Sequence, residues 1–281
     1  MRGVGLQDGC LSESGPTARA GARPAAIIPG SSFRRDFPMT YCVAMRLRAG
    51  LLFASDTRTN AGVDHIASFR KMYQFQIPHQ REIVILTAGN LATTQSVISL
   101  LNQRLQGDGE HLLNVPTLYD AAVLLGRTLK EVIARDSDDH GVDFGANMLI
   151  GGQIKGEGPR LFHVYPQGNF IEATEDTPYF QIGESKYGKP IIDRVVRYES
   201  TALDEAAKCT LVSFDSTIQS NLSVGLPIDM LMLRANQFDM AMKPPHRIGR
   251  DDPYFLSLRD GWSAGLRKVF DDLPNEPWFD E

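Results

Sequence analysis

The sequence predicts an α+β protein built as two stacked sheets with helices on both outer faces. Three observations predict it. Blocks of consecutive strands alternate with pairs of helices, and a doubly wound parallel sheet would need strict strand-helix alternation. The 281 residues are 42% hydrophobic, enough to bury a large core. The longest apolar runs, such as 83–87 and 147–151, fall far short of the roughly 20 residues that a membrane helix needs.

Composition also narrows the function classes. A net charge of -5 supplies no broad basic face for nucleic acid or an anionic membrane. Cys10, Cys42 and Cys209 are far apart and form no CxxC, so neither a disulfide framework nor a zinc site is suggested. That usage fits a reducing cytoplasm. The histidines, His65, His79, His111, His140, His163 and His246, are scattered without an HExxH pair. The acidic run 136–140 reads as a solvated loop, and no metal or cofactor is expected.

The elements follow in order. Residues 1–39, rich in Gly, Ala, Arg, Pro and Ser, cannot offset the entropy of ordering and read as a disordered leader. They lack the apolar stretch of a secretory signal. Either they form a propeptide or they precede a true start at Met39. The second fits better, because aminopeptidases trim Met before a small residue and would leave Thr40 with a free amine. The folded domain is then 40–281. Within it, 40–48 alternates as a strand, 49–50 turns, and 51–55 runs back, ending at Asp56. A second turn is expected over 60–64, with short strands at 65–70 and 71–77. The Ile-rich strand 82–87 closes at 88–90. Val97, Ile98, Leu100, Leu101 and Leu105 then recur at helical spacing. A second helix runs from Thr117 to about Asp136. Strands return at 146–154, 160–165, 170–174 and 179–182. Two helices follow, over 185–196 and from 201 or 203 to about 221. Strands near 229–237 and a helix over 253–270 with a frayed acidic tail complete the chain.

The chemistry gathers at the head of the domain. A hydroxyl is a poor nucleophile at neutral pH unless a base takes its proton. A terminal α-amine, with an ordinary pKa of about 7.7–8.0, can be that base. Only a first residue carries hydroxyl and amine together, so Thr40 reads as nucleophile and base in one. A positive Lys71 would hold the amine neutral, since like charge disfavours a second cation. Asp56 would fix the lysine. The N–H of Gly89, before a predicted helix, is placed to stabilise an oxyanion. Taken singly, each has a plainer use: Thr40 as a strand residue, Asp56 as a turn residue, Lys71 as a solvated lysine, Gly89 as a tight approach.

As a set, these motifs resemble the proteasome-type peptidases. They are the Met39-Thr40 head, Ser55-Asp56-Thr57-Arg58-Thr59, Lys71 after Ser-Phe-Arg, Thr87-Ala88-Gly89-Asn90, and Ile182-Gly183-Glu184-Ser185-Lys186-Tyr187-Gly188. Residues 220–229 and the tail through Trp278 resemble the bacterial Anbu subfamily. The resemblance implies an N-terminal nucleophile hydrolase fold, a four-layer αββα sandwich, and a homo-oligomer that is a closed ring or an open assembly. It also implies that Ser185 and Ser223 support the terminal amine, although Ser185 reads equally as a helix N-cap. Two positions depart from the family pattern: Glu184 stands where many subunits have serine, and Ser220 where aspartate is usual.

Three functions fit: a self-compartmentalised threonine peptidase acting on unfolded chains or peptides, a silent scaffold subunit, or an amidase acting on a small peptide-like metabolite. No ATP-binding loop is present in the sequence, so any unfoldase partner would be a separate protein.

Overall fold

In the computed structural model, which describes residues 40–60, 66–137, 143–239, 241–276 and 278, the first strand β1 (Tyr41–Leu47) is buried on both faces. Tyr41, Val43, Met45 and Leu47 pack in a cluster with helix residues such as Ile192, Cys209 and Phe214. Cys42 and Ala44 pack among residues of a second sheet, including Val84, Leu86 and Leu149. The two-residue period of a strand explains both, because successive side chains point to opposite faces.

Strand β2 (Gly50–Asp56) returns antiparallel, with Leu47 opposite Gly50. The turn is therefore Arg48-Ala49, one residue earlier than expected. Gly50 belongs to the strand, at φ +140, and a Cβ there would lie 2.0 Å from the Leu233 carbonyl oxygen. Its glycine serves a close backbone approach rather than the turn. Strands β3 (Arg58–Asn60) and β4 (Ile66–Ser68) form a small separate hairpin. The sequence pattern ends the hairpin at Asp56, so β3 is an addition. The turn expected over 60–64 lies, past Asn60, outside the described residues, as do the leader 1–39, His65 and His140.

The second sheet has the order β5-β6-β7-β8-β9, with β5 (Met72–Ile77), β6 (Arg81–Gly89), β7 (Ala146–Ile154), β8 (Arg160–Val164) and β9 (Phe170–Glu172). With β10 (Tyr179–Gly183), β11 (Ile228–Arg234) and β12 (His246–Ile248), the first sheet has the order β10-β1-β2-β11-β12. Every pairing within both sheets is antiparallel. Helices α1 (Leu91–Arg104) and α2 (Leu118–Asp136) cover the outer face of the second sheet through Val97, Leu101, Leu125 and Leu129. Helices α3 (Lys189–Val195) and α4 (Leu203–Ser220) cover the first, and α5 (Pro253–Asp272) adds Phe255 to the same cluster. The result is the four-layer αββα sandwich. Among the described residues no helix is long and apolar enough to cross a membrane.

Two helix-strand boundaries moved. α3 begins at Lys189, with Gly188 rather than Ser185 at its N-cap. Pro190 in the first turn marks that start. Gly188 is forced there, because a Cβ would lie 2.2 Å from both the Tyr41 hydroxyl and Ser213 Oγ. β11 ends at Arg234 and not near 237, since Asn236 turns at φ +59. The three-residue β12 had not been anticipated.

The N-terminus of α2 is closed by a capping box between Thr117 and Asp120. Thr117→Ala is expected to cost about 1 kcal/mol, lowering the thermal midpoint by roughly 2–4 °C. A calorimetric scan checks this.

Candidate active site

An antiparallel sandwich brings strand ends together. At one end of this one, Cys42 pairs with Ser55, Tyr41 with Gly183, and Ile228 with Asp56. The head of β1 and the ends of β2, β10 and β11 therefore meet. In the second sheet Met72 pairs with Leu86, so β5 begins beside the last residues of β6.

The meeting point is a buried ion pair across the two sheets. Lys71 Nζ lies 2.7 Å from Asp56 Oδ1, and both side chains are almost wholly buried. The lysine also donates to the Arg58 carbonyl at 2.5 Å. The backbone N–H of Tyr41 donates to the same Asp56 oxygen at 3.0 Å, one residue from Thr40. Oδ2 makes no hydrogen bond among the described residues. Burial pushes the Asp56 carboxyl up to about 6, against the pull of the Lys71 ammonium and the N–H groups of Tyr41 and Gly225. Phe69 N–H donates to the Thr57 carbonyl at 2.9 Å, which ties the β3-β4 excursion back and delivers Lys71 to the site.

Thr40 is held by its carbonyl, which accepts from the Glu184 N–H at 2.7 Å. The preceding Gly183 has φ +82, and a Cβ there would lie 1.9 Å from the Thr40 oxygen. Only glycine lets the end of β10 close on the head of β1 in this way.

Gly89 ends β6 at φ +111, and Asn90 caps α1 by accepting from Thr93 N–H. Thr87 N–H donates to the Lys71 carbonyl at 3.0 Å. Amides alternate sides along a strand, so Gly89 N–H faces the same side, beyond the head of β5. The oxyanion candidate thus points past Lys71. Ser223 Oγ donates to Asn221 Oδ1 at 2.5 Å, and Asn221 Nδ2 donates to Glu184 Oε2 at 2.9 Å. The Ser185 carbonyl accepts from Lys189 N–H, and its hydroxyl makes no hydrogen bond to the other site residues among those described. Sequence reasoning had not assigned Asn221. Its partner is 37 positions away, and the only local signal was the Glu184 departure.

Cys42 is fully buried against the Thr87 carbonyl, and burial drives its thiol pKa well up, leaving no reactive thiol here. Among the described residues no group of three or more His, Cys, Asp or Glu side chains is arranged to hold a metal.

The proteasome subunit family profile matches residues 40–231. The chain belongs to the proteasome family. It is 60% identical to Anbu (ancestral beta-subunit) from Yersinia bercovieri, over 84% of this chain and 98% of that one, with a TM-score of 0.79. The helical assembly of the Anbu complex from Pseudomonas aeruginosa is 54% identical over 85% and 98%, at a TM-score of 0.81. Anbu from Hyphomicrobium sp. strain MC1 is 50% identical over 84% and 99%, at 0.78. No curated protein matches the chain. Within the proteasome family it therefore groups with the Anbu subunits, and the fold is that of the N-terminal nucleophile hydrolases.

Two outcomes test this proteasome-type site. Gly183→Ala should strain the backbone by about 1–3 kcal/mol and displace Thr40, read as a lowered thermal midpoint and the loss of the Glu184 N–H bond in amide exchange. The Asp56 carboxyl should titrate near 6 by side-chain carbon NMR. Its folded pKa is raised, so the stability linked to it is present at low pH and lost as pH rises through about 6.

Proposed function

We propose that the chain is a threonine-type amidohydrolase of peptides or unfolded polypeptides, active once residues 1–39 are removed and Thr40 is the first residue. The observation that carries this reading is the buried Asp56-Lys71 pair, sharing Asp56 Oδ1 with the N–H of the residue after Thr40. In this reading Thr40 Oγ1 attacks the substrate carbonyl and its α-amine, directly or through one water, takes the hydroxyl proton. The Lys71 ammonium, fixed by Asp56, disfavours a second positive charge on the amine and stabilises the developing alkoxide. Gly89 N–H receives the oxyanion. Collapse of the tetrahedral adduct expels the amine, which leaves with the proton. Water then hydrolyses the ester on Thr40, with the α-amine again as base.

The helical assembly of the Pseudomonas protein supports a homo-oligomer that encloses or lines up such sites. A scaffold subunit is the weaker reading. Burying two charges costs several kcal/mol before their attraction returns it, and assembly alone has no use for that arrangement beside Thr40. The substrate class extends to small peptide-like amides, which the same chemistry cleaves.

Intact mass should show a mature chain beginning at Thr40. Thr40→Ala should abolish covalent labelling by a threonine-directed electrophile such as a peptide vinyl sulfone, with sedimentation of the oligomer unchanged. A mature protein that keeps Met39 overturns the reading.

A further inference from the structure

Near Thr40 the structure buries a second carboxylate that the mechanism above does not use. Glu184 is 3% exposed and sits across from Thr40, with its N–H on the Thr40 carbonyl at 2.7 Å. Its Oε2 accepts from Asn221 Nδ2 at 2.9 Å. The amide orientation of Asn221 is dictated by Ser223, whose N–H and hydroxyl both donate to Asn221 Oδ1. That leaves only the NH2 group to face the glutamate. The Lys186 ammonium stands 3.7 Å from the same oxygen on a side chain 64% exposed, where solvent screens most of its effect.

A buried carboxylate with one neutral donor and a solvent-screened lysine is costly, and buried charges are normally paired. While residues precede Thr40, its nitrogen is a neutral amide. Once they are removed, the same nitrogen becomes an ammonium, tethered at the head of the strand opposite Glu184. No free ligand competes with a group held there by the chain itself. We propose that Glu184, braced by Asn221 and Ser223, is the counter-ion that orients the freed α-amine of Thr40.

This rests on the proposed function and deepens it. Glu184 is a positioning residue: it aims the amine and favours its protonated form, so the base is freed at a higher pH than Lys71 alone would set. The charged groups of the site are Asp56 from β2, Lys71 ahead of β5, and Glu184 with Lys186 after β10, with the Arg58 side chain beside Gly225. Lys71 and Arg58 oppose Glu184, and Asp56 acts with it.

The test is the pH dependence of vinyl sulfone labelling in the processed oligomer. Glu184→Gln keeps the shape and removes the charge. Its acidic limb should move to lower pH by about 1 unit relative to wild type. Asn221→Ala, which frees the carboxylate from its brace, should move the limb in the same direction by less. A limb that stays in place in both variants, whatever happens to their thermal midpoints, overturns the proposal and makes Glu184 a structural clamp. Labelling absent from the wild type overturns the hydrolase reading as well, whereas labelling with an unmoved limb overturns only this one.

Discussion

The site depends on one ion pair that spans two sheets. Asp56 ends a strand of the first sheet and Lys71 leads into a strand of the second, so their 2.7 Å contact fixes the sheets against each other at this end. Such a pair adds little net stability, because desolvating two charges consumes most of their attraction. Removing either partner is a different matter: an orphaned buried charge costs about 3–5 kcal/mol. The pair therefore acts as a constraint on geometry. Tyr41 N–H shares the same carboxylate oxygen, so the constraint reaches the backbone that presents Thr40.

Topology explains why one end of the sandwich holds so much chemistry. Antiparallel pairing puts the head of β1 beside the ends of β2 and β10, and the start of β5 beside the end of β6. The segments leaving those ends touch the site: the Glu184 N–H bonds the Thr40 carbonyl, and the Thr57 N–H bonds the Pro227 carbonyl. Glycine makes the closest of these approaches possible. Gly183 meets the Thr40 carbonyl, and Gly89 meets Gly145 and Ala146, each at a positive φ and at a distance that a Cβ would forbid.

How much of this was legible follows from the range of each interaction. The β1 strand and helix α1 were readable because period-two and helical spacing are local. The Arg48-Ala49 turn was misplaced by one because Gly50 looked like a turn residue. Its real reason, the Leu233 carbonyl, lies far along the chain. Three-residue strands such as β3 and β12 carry too few side chains to show a period. Thr40, Asp56 and Lys71 stood out because an amino-terminal hydroxyl, an acid and a lysine make chemical sense together. Glu184 and Asn221 did not, since a glutamate in a loop and an asparagine after a helix are ordinary until folding brings them to 2.9 Å.

Charge balance then ties the site together. Among the described residues, the buried charged side chains tied to Thr40 or Tyr41 by the contacts above are Asp56, Lys71 and Glu184, two acids and one base. Lys71 is committed to Asp56, and a buried site tolerates a net negative charge poorly. An α-ammonium at position 40 would neutralise the remainder, and an amide there would not. The same accounting explains why the two acids are separated. Asp56 faces the lysine, which in the proposed mechanism stays positive to make the hydroxyl acidic, whereas Glu184 is the proposed partner of the amine, which gives up its proton to serve as base. A single carboxylate placed between both cations could not favour charge on one while the other turned neutral.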